Sequence, residues 1–149
     1  MSFSVLPRRA FVAAALSAVT AASAVALGLY GGLSTPESQH FSFSRGLTWA
    51  GQDGERLRGF LAGALEDERI HVTIFGHSGS TGDAAANFNL SLERAELARA
   101  VAKNLGITAD RMTVQGLGGG RPLPKMEGES TRAHQSRLSR VEVILQMRK

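Results

Sequence analysis

The stretch Ile70-His71-Val72-Thr73-Ile74-Phe75-Gly76-His77-Ser78-Gly79-Ser80-Thr81-Gly82 decides how the rest of this chain is read. Up to Phe75, the apolar residues Ile70, Val72 and Ile74 alternate with His71, Thr73 and Phe75, the period of two expected of a half-buried strand. The alternation stops at Gly76, and a glycine-rich loop is predicted to about Phe88. Beyond it the period changes. Leu90, Leu97, Ala98, Val101, Ala102 and Leu105 fall on one helical stripe, with Ser91 the expected N-cap. Gly106, directly after Leu105, is expected to end that helix in a left-handed conformation.

Upstream, His40-Phe41-Ser42-Phe43-Ser44 alternates as a strand does. Leu57, Phe60, Leu61, Ala64 and Leu65 then share one helical face, leaving Arg56, Arg58 and Glu66 for water. Downstream, Met112 and Val114 predict a third strand. A polar loop follows from Leu117 to about Arg137, and Val141, Val143 and Leu145 predict a fourth strand. The order β-α-β-α-β-β implies an α+β domain, with two helices packed on one face of a mixed four-stranded sheet and right-handed crossovers.

The composition bounds what such a domain does. At 149 residues there is room for one modest domain and a short extra segment. The absence of cysteine removes disulfide frameworks, thiolate zinc sites and lipid attachment through an N-terminal Cys. A net charge of +4 suits an anionic surface, but it is too dispersed to choose one. Arg8 and Arg9 precede an uncharged run from Ala10 to Tyr30. About twenty such residues span a bilayer core of roughly 30 Å, and the arginines orient the chain with its remainder exported.

Three readings compete for that segment: a retained anchor, a cleaved signal, or a twin-arginine signal. The last draws on Pro7-Arg8-Arg9-Ala10-Phe11, with Ala22-Ser23-Ala24 as a cleavage site. The run exceeds the ~7–15 residues of a signal core, which favours the anchor. The expected plan is a cytoplasmic stretch 1–9, an anchor or signal 10–30, a linker 31–39 and a domain 40–149. The run holds no Asp, Glu, Lys or His, which argues against an ion path through it.

Several segments resemble a known family. Ile74 to Gly82 is similar to its signature G-H-T-D-x-x-G, and Asn87 with Leu90-Ser91-Leu92-Glu93-Arg94-Ala95 to N-x-x-L-S-x-x-R-A. Gly106 to Arg111 resembles its turn into the third strand. Gly116-Leu117-Gly118 with Pro122 resembles its G-x-G…P loop, Arg140-Val141-Glu142 its N-R-R-V-E, and Phe41-Ser42-Phe43 its first strand. The family is the OmpA C-terminal-like, peptidoglycan-associating domain, and the resemblance covers roughly His40 to Arg148.

It implies a non-catalytic cell-envelope module that binds the diaminopimelate of the peptidoglycan stem peptide without a covalent bond. One cation and one anion at fixed separation hold that zwitterion, and exposed N–H groups at a helix head add to the carboxylate's binding. Carried over, the ligand site is Arg94 and Asn87 with His77, Ser78, Gly79, Ser42 and Arg140.

The chain departs from the family where the signature Asp is Gly79, where the first strand has Ser42, and where Leu138 and Ser139 replace Asn and Arg. A lost charge-assisted hydrogen bond is worth ~1.5–3 kcal/mol, roughly ten- to a hundredfold in affinity. Asp83 is the nearest substitute carboxylate in sequence. The resemblance also implies a periplasmic domain on a single-pass inner-membrane anchor, or a soluble periplasmic one after cleavage. A scaffold or subunit of a membrane-protein complex with a degenerate wall site is the alternative. Nucleic acid is not an expected partner.

Blander roles stand beside these. Arg94 is alternatively a solvated arginine paired with Glu93 or Glu96, His77 a residue packed at a strand end, and Arg121, Lys125, Arg132 and Arg137 a solvated loop set. Gly76-His77-Ser78-Gly79-Ser80 also imitates a nucleophile elbow, with Ser78 attacking, His134 as base and Asp83 or Asp110 orienting it. Ser80 in place of the last glycine and the helix-breaking Gly82 oppose that reading. Gly116 to Gly120 is followed by Arg121-Pro122 and so predicts no nucleotide cradle. The four histidines lack ligand spacing; no metal or cofactor is expected.

Overall fold

The computed structural model describes residues 35–148. Strand β1 (Glu37–Arg45) turns into a two-residue strand β2 (Thr48–Trp49), and helix α1 (Asp53–Ala62) follows. Strand β3 (Ile70–Gly76), helix α2 (Ala84–Asn104), strand β4 (Met112–Gly116), helix α3 (Thr131–Leu138) and strand β5 (Arg140–Met147) complete the domain. The sheet order is β2-β1-β5-β3-β4. Only β3 and β4 run parallel; the other pairs are antiparallel.

The alternation read in β3 is the alternation observed: Ile70, Val72 and Ile74 are buried while His71, Thr73 and Phe75 are half-buried. Opposite them in register stand Met147, Leu145 and Val143 of β5. With Phe41 and Phe43 of β1 and Leu57, Phe60 and Leu61 of α1, these residues form one core between helices and sheet. Gly63–Leu65 tightens into a 3-10 turn, which carries Leu65 out to 44% exposure rather than onto the expected apolar face.

Helix α2 begins earlier than its apolar stripe suggests. Asp83, not Ser91, is its N-cap, accepting from the Ala86 N–H at 2.7 Å. The loop before it therefore ends at Asp83 rather than near Phe88. The helix buries Ser91, Arg94, Ala95, Ala98 and Ala102, and leaves Leu90, Leu97, Val101 and Leu105 half-buried.

Small residues face the sheet because the helix backbone lies against it. A Cβ on Gly76 would sit 1.8 Å from the Ser91 carbonyl oxygen, and one on Gly116 2.8 Å from Leu92 N. The two glycines are register partners in β3 and β4. At the far end Gly106 has φ +99°, with Gly106 N–H on Lys103 O and Ile107 N–H on Ala102 O, the paired bonds of a Schellman stop.

Two elements go beyond the expected four strands and two helices. β2 is too short to show a period. α3 lies in the segment read as polar loop and has one buried anchor, Leu138, so no apolar stripe announces it. It is capped by Ser130, whose side chain accepts from Ala133 N–H. Strand β1 starts at Glu37 and so takes in Glu37–Gln39 of the expected linker. The expected segments 1–9 and 10–30 lie outside the described residues, among which no helix is long and apolar enough to cross a membrane.

Candidate functional site

The candidate site is built where β3 gives way to its glycine loop. His77, the first residue past the strand, donates its N–H to Arg140 O at 2.9 Å. Its own carbonyl accepts from Arg94 Nη1, also at 2.9 Å. Ser78 N–H continues the path by donating to Gly118 O at 2.9 Å. The backbone of this loop is thus clamped between β5, α2 and the segment after β4.

Arg94 is 2% exposed, not a solvated arginine paired with Glu93 or Glu96. Glu96 pairs instead with Arg99 at 2.6 Å. Arg94 Nε donates to Gly46 O in the β1–β2 turn at 2.9 Å. Its guanidinium lies 4.9 Å from the centroid of Phe43, which stacks on Trp49 at 4.3 Å. Among the described residues no carboxylate pairs with Arg94, and burial alone lowers its pKa.

Arg140 is similarly sequestered, at 4% exposure, with Nη1 on Leu138 O at 3.3 Å and Nη2 on Arg121 O at 3.2 Å. Its Nε has no hydrogen-bond partner, and neither has either ring nitrogen of His77. Burial, then the neighbouring Arg140, depresses the His77 pKa to about 4 against a weaker pull from Glu142. At neutral pH the 3.7 Å approach of His77 Nε2 to Glu142 Oε2 is therefore not an ion pair.

The other expected residues are placed nearby. Ser42 is the register partner of Arg140, and its N–H donates to Asp53 Oδ2 at 2.7 Å. Asp53, which no sequence motif singles out, thereby ties the head of α1 to β1. Asn87 Nδ2 donates to Thr81 O at 2.9 Å and closes the end of the loop. Gly79, Ser80, Asn87 and Phe88 line an open cleft of about 300 Å³ with Leu117 and Gly118.

The expected set therefore splits. Arg94, neutral His77 and Arg140 are buried and linked through the His77 backbone; Gly79 and Asn87 face the cleft; the loop at residues 77–79 joins them. Asp83 does not swing toward the cluster, because its carboxylate is engaged in capping α2. A signal for the burial of Arg94 was present in the sequence: Ser91, Ala95, Ala98 and Ala102 are small residues at helical spacing around it.

The imitation of a hydrolase elbow does not assemble. Ser78 Oγ donates to Gly79 O at 3.2 Å, while His134 Nε2 bonds Leu123 O at 2.7 Å. Among the described residues no group of three or more His, Cys, Asp or Glu is placed to hold a metal ion.

A model of the OmpA family matches residues 52–136, an interval that contains α1, the glycine loop and Arg94. The chain belongs to the OmpA family. Its fold is shared with solved OmpA-like domains. The peptidoglycan-associated lipoprotein from Burkholderia pseudomallei superposes with a TM-score of 0.61 at 22% identity, over 73% of this chain and 89% of that one. The periplasmic domain of Helicobacter pylori MotB gives 0.58 at 14% identity, over 72% and 71%.

One further relative is the photosystem I P700 chlorophyll a apoprotein A2 of Gloeobacter violaceus, 35% identical over 77 residues. This chain spans only 9% of that protein's length, too small a share to carry its role across.

Proposed function

We propose that this OmpA-family domain is a non-catalytic binding module of the cell envelope. In this reading it holds peptidoglycan stem peptide without a covalent bond, and Arg94 supplies the charge that meets a ligand carboxylate. The observation that carries it is the buried guanidinium of Arg94, whose hydrogen bonds go only to the carbonyls of Gly46 and His77 and on which no carboxylate among the described residues acts. Burying a guanidinium without an anion is costly. An anionic ligand offsets that cost.

Arg94 Nη2, which has no acceptor among the described residues, is the nitrogen such a carboxylate meets first. The relatives support the setting: one is named a peptidoglycan-associated lipoprotein, another a periplasmic domain. The apolar run Ala10–Tyr30 would tether the domain to the inner membrane.

Co-sedimentation of the full-length chain with purified sacculi tests this reading. Wild type is expected in the pellet and Arg94→Gln in the supernatant; equal retention of both removes Arg94 from the site. A second reading, a scaffold subunit of a membrane-protein complex, is favoured by the way Arg94 cross-links Gly46 and His77. Co-purification of a stoichiometric membrane partner from a chain that no sacculus retains would select it.

A further inference from the structure

The sheet ends differently at its two edges. At one, β2 is two residues long and the register slips between Phe43 and Arg45, so little regular edge is left to pair. Short or bulged edge strands discourage further pairing. At the other edge β4 closes the order, and among the described residues no strand lies beyond it. Its sequence, Met112-Thr113-Val114-Gln115-Gly116, holds no charge and no proline to deter another strand. Leu117 N–H donates to Gly76 O of β3. By the alternation of a ladder, Gln115 and Thr113 bond β3 as well, and Val114 turns its N–H and C=O outward. The helix beside this edge is apolar. Leu92 and Phe88 of α2 are the residues that a Cβ on Gly116 and one on Gly118 would meet, and they are 37% and 50% exposed.

We propose that β4 is the pairing edge of a two-fold dimer, and that its occupant is β4 of a second copy of this chain. A neighbouring strand must suit the edge in length, charge and bulk, and β4 suits itself. An antiparallel pair centred on Val114 sets Thr113 opposite Gln115 and Met112 opposite Gly116. Two polar side chains then share the outer face, a large residue meets the smallest on the core face, and no like charges are opposed. At the ends, Asp110 and Arg111 fall opposite Gly118 and Leu117. Such a contact closes on itself instead of growing into a filament. Both α2 helices lie on the same face of the joined sheet, side by side and antiparallel, so Phe88 and Leu92 of each copy gain a covering neighbour. Further along that helix, Glu96 and Arg99 carry opposite charges. An antiparallel neighbour presents them in reverse order, which brings unlike charges together.

The chain has no cysteine, so an introduced thiol reports only its own neighbours. In the proposed pair, residue 113 of one copy and residue 115 of the other face each other at a non-hydrogen-bonded position, with Cα atoms about 4.5 Å apart. That is within disulfide reach, whereas residue 113 and its own counterpart stand about 8 Å apart, beyond it. Full-length chains carrying Thr113→Cys and Gln115→Cys, one of them tagged to mark its mass, are mixed in detergent and oxidised. Both positions are exposed, so neither substitution disturbs the core. The mixed dimer is expected to form at least about tenfold faster than either self-linked one.

Leu92→Lys in both chains removes apolar cover from the contact and is expected to slow the mixed product by about tenfold or more. Phe88→Lys carries the same expectation by a second route, should the Leu92 variant fold poorly. Thr48→Cys, on the blunted edge, is expected to stay unlinked. No linked product, equal rates for mixed and self-linked products, or a mixed rate unmoved by both lysine variants overturns the pairing. So does linkage through Thr48→Cys at a comparable rate. Capture of a different protein by Thr113→Cys in cell membranes, with no linked pair of this chain, would give the edge to another partner and overturn the second copy as its occupant.

Discussion

His77 makes the stability of this domain fall in mild acid, and the size of the fall follows from its surroundings. The side chain is 1% exposed, both ring nitrogens lack partners, and Arg140 is the charge that acts on it most, so protonation is disfavoured in the folded state. Its pKa falls from 6.5 to about 4. Because the folded value is the lower one, the unfolded chain binds the proton first. Stability is full above pH 6.5 and declines as pH falls toward 4, where the folded form also titrates.

A tenfold difference in proton affinity between the two states corresponds to about 1.4 kcal/mol. Acidification from pH 7.5 to 4.5 therefore removes stability on the order of 2–3 kcal/mol through this residue. Urea unfolding at several pH values measures it. His71 is displaced in the same direction by burial, so the difference between wild type and His77→Leu isolates the His77 share. Leucine is close in volume and breaks no hydrogen bond, since the ring makes none. The variant is expected to lose most of the pH slope with little change at pH 7.5. A slope that survives the substitution intact would refute the reasoning.

Other residues give further tests. Gly76→Ala forces a methyl group to within 1.8 Å of the Ser91 carbonyl, a backbone atom of α2; a loss of about 3 kcal/mol or more is expected in chemical denaturation. Asp83→Ala removes the cap of α2 and is expected to cost ~1 kcal/mol in the same assay. Glu129, held at about 2 by its hydrogen bonds with Arg137, stays ionised as pH falls from its usual 4.5 and loses its stabilising charge only near pH 2. Amide exchange of Thr131–Leu138 is therefore expected to stay slow at pH 4 in wild type and to quicken in Glu129→Gln.

What the sequence disclosed was local. The alternation of Ile70 to Phe75, the stop at Gly106 and the buried face Leu57-Phe60-Leu61 depend on neighbours a few residues away, and each appears as read. What it withheld depends on distant packing. Ser91 has the chemistry of a cap, but Ala84-Ala85-Ala86 are strong helix formers and let the helix start well before it. Ser91 instead donates to Phe88 O and accepts from Gly118 N–H, a tie to the loop after β4.

Arg94 kept its place beside the His77 loop, as the family pattern implies, but not its exposure. Gly76 and Gly116 draw α2 onto the sheet, and the turn at Gly46 closes over the guanidinium. Gln135 gave no sign at all. Its contact with residues 79 and 80 fills the space left by the missing side chain at Gly79, far earlier in the chain, and only folding brings the two together.

Whether a ligand carboxylate engages the buried guanidinium of Arg94 is the question on which wall binding turns. A 1H–15N spectrum of the arginine Nε–H groups, recorded on the full-length chain during titration with a soluble muropeptide, tests it most directly. A saturable change in the position of the Arg94 resonance is predicted, absent when the peptide carboxylates are amidated. A spectrum in which Arg94 stays still while sacculi remain bound would contradict it.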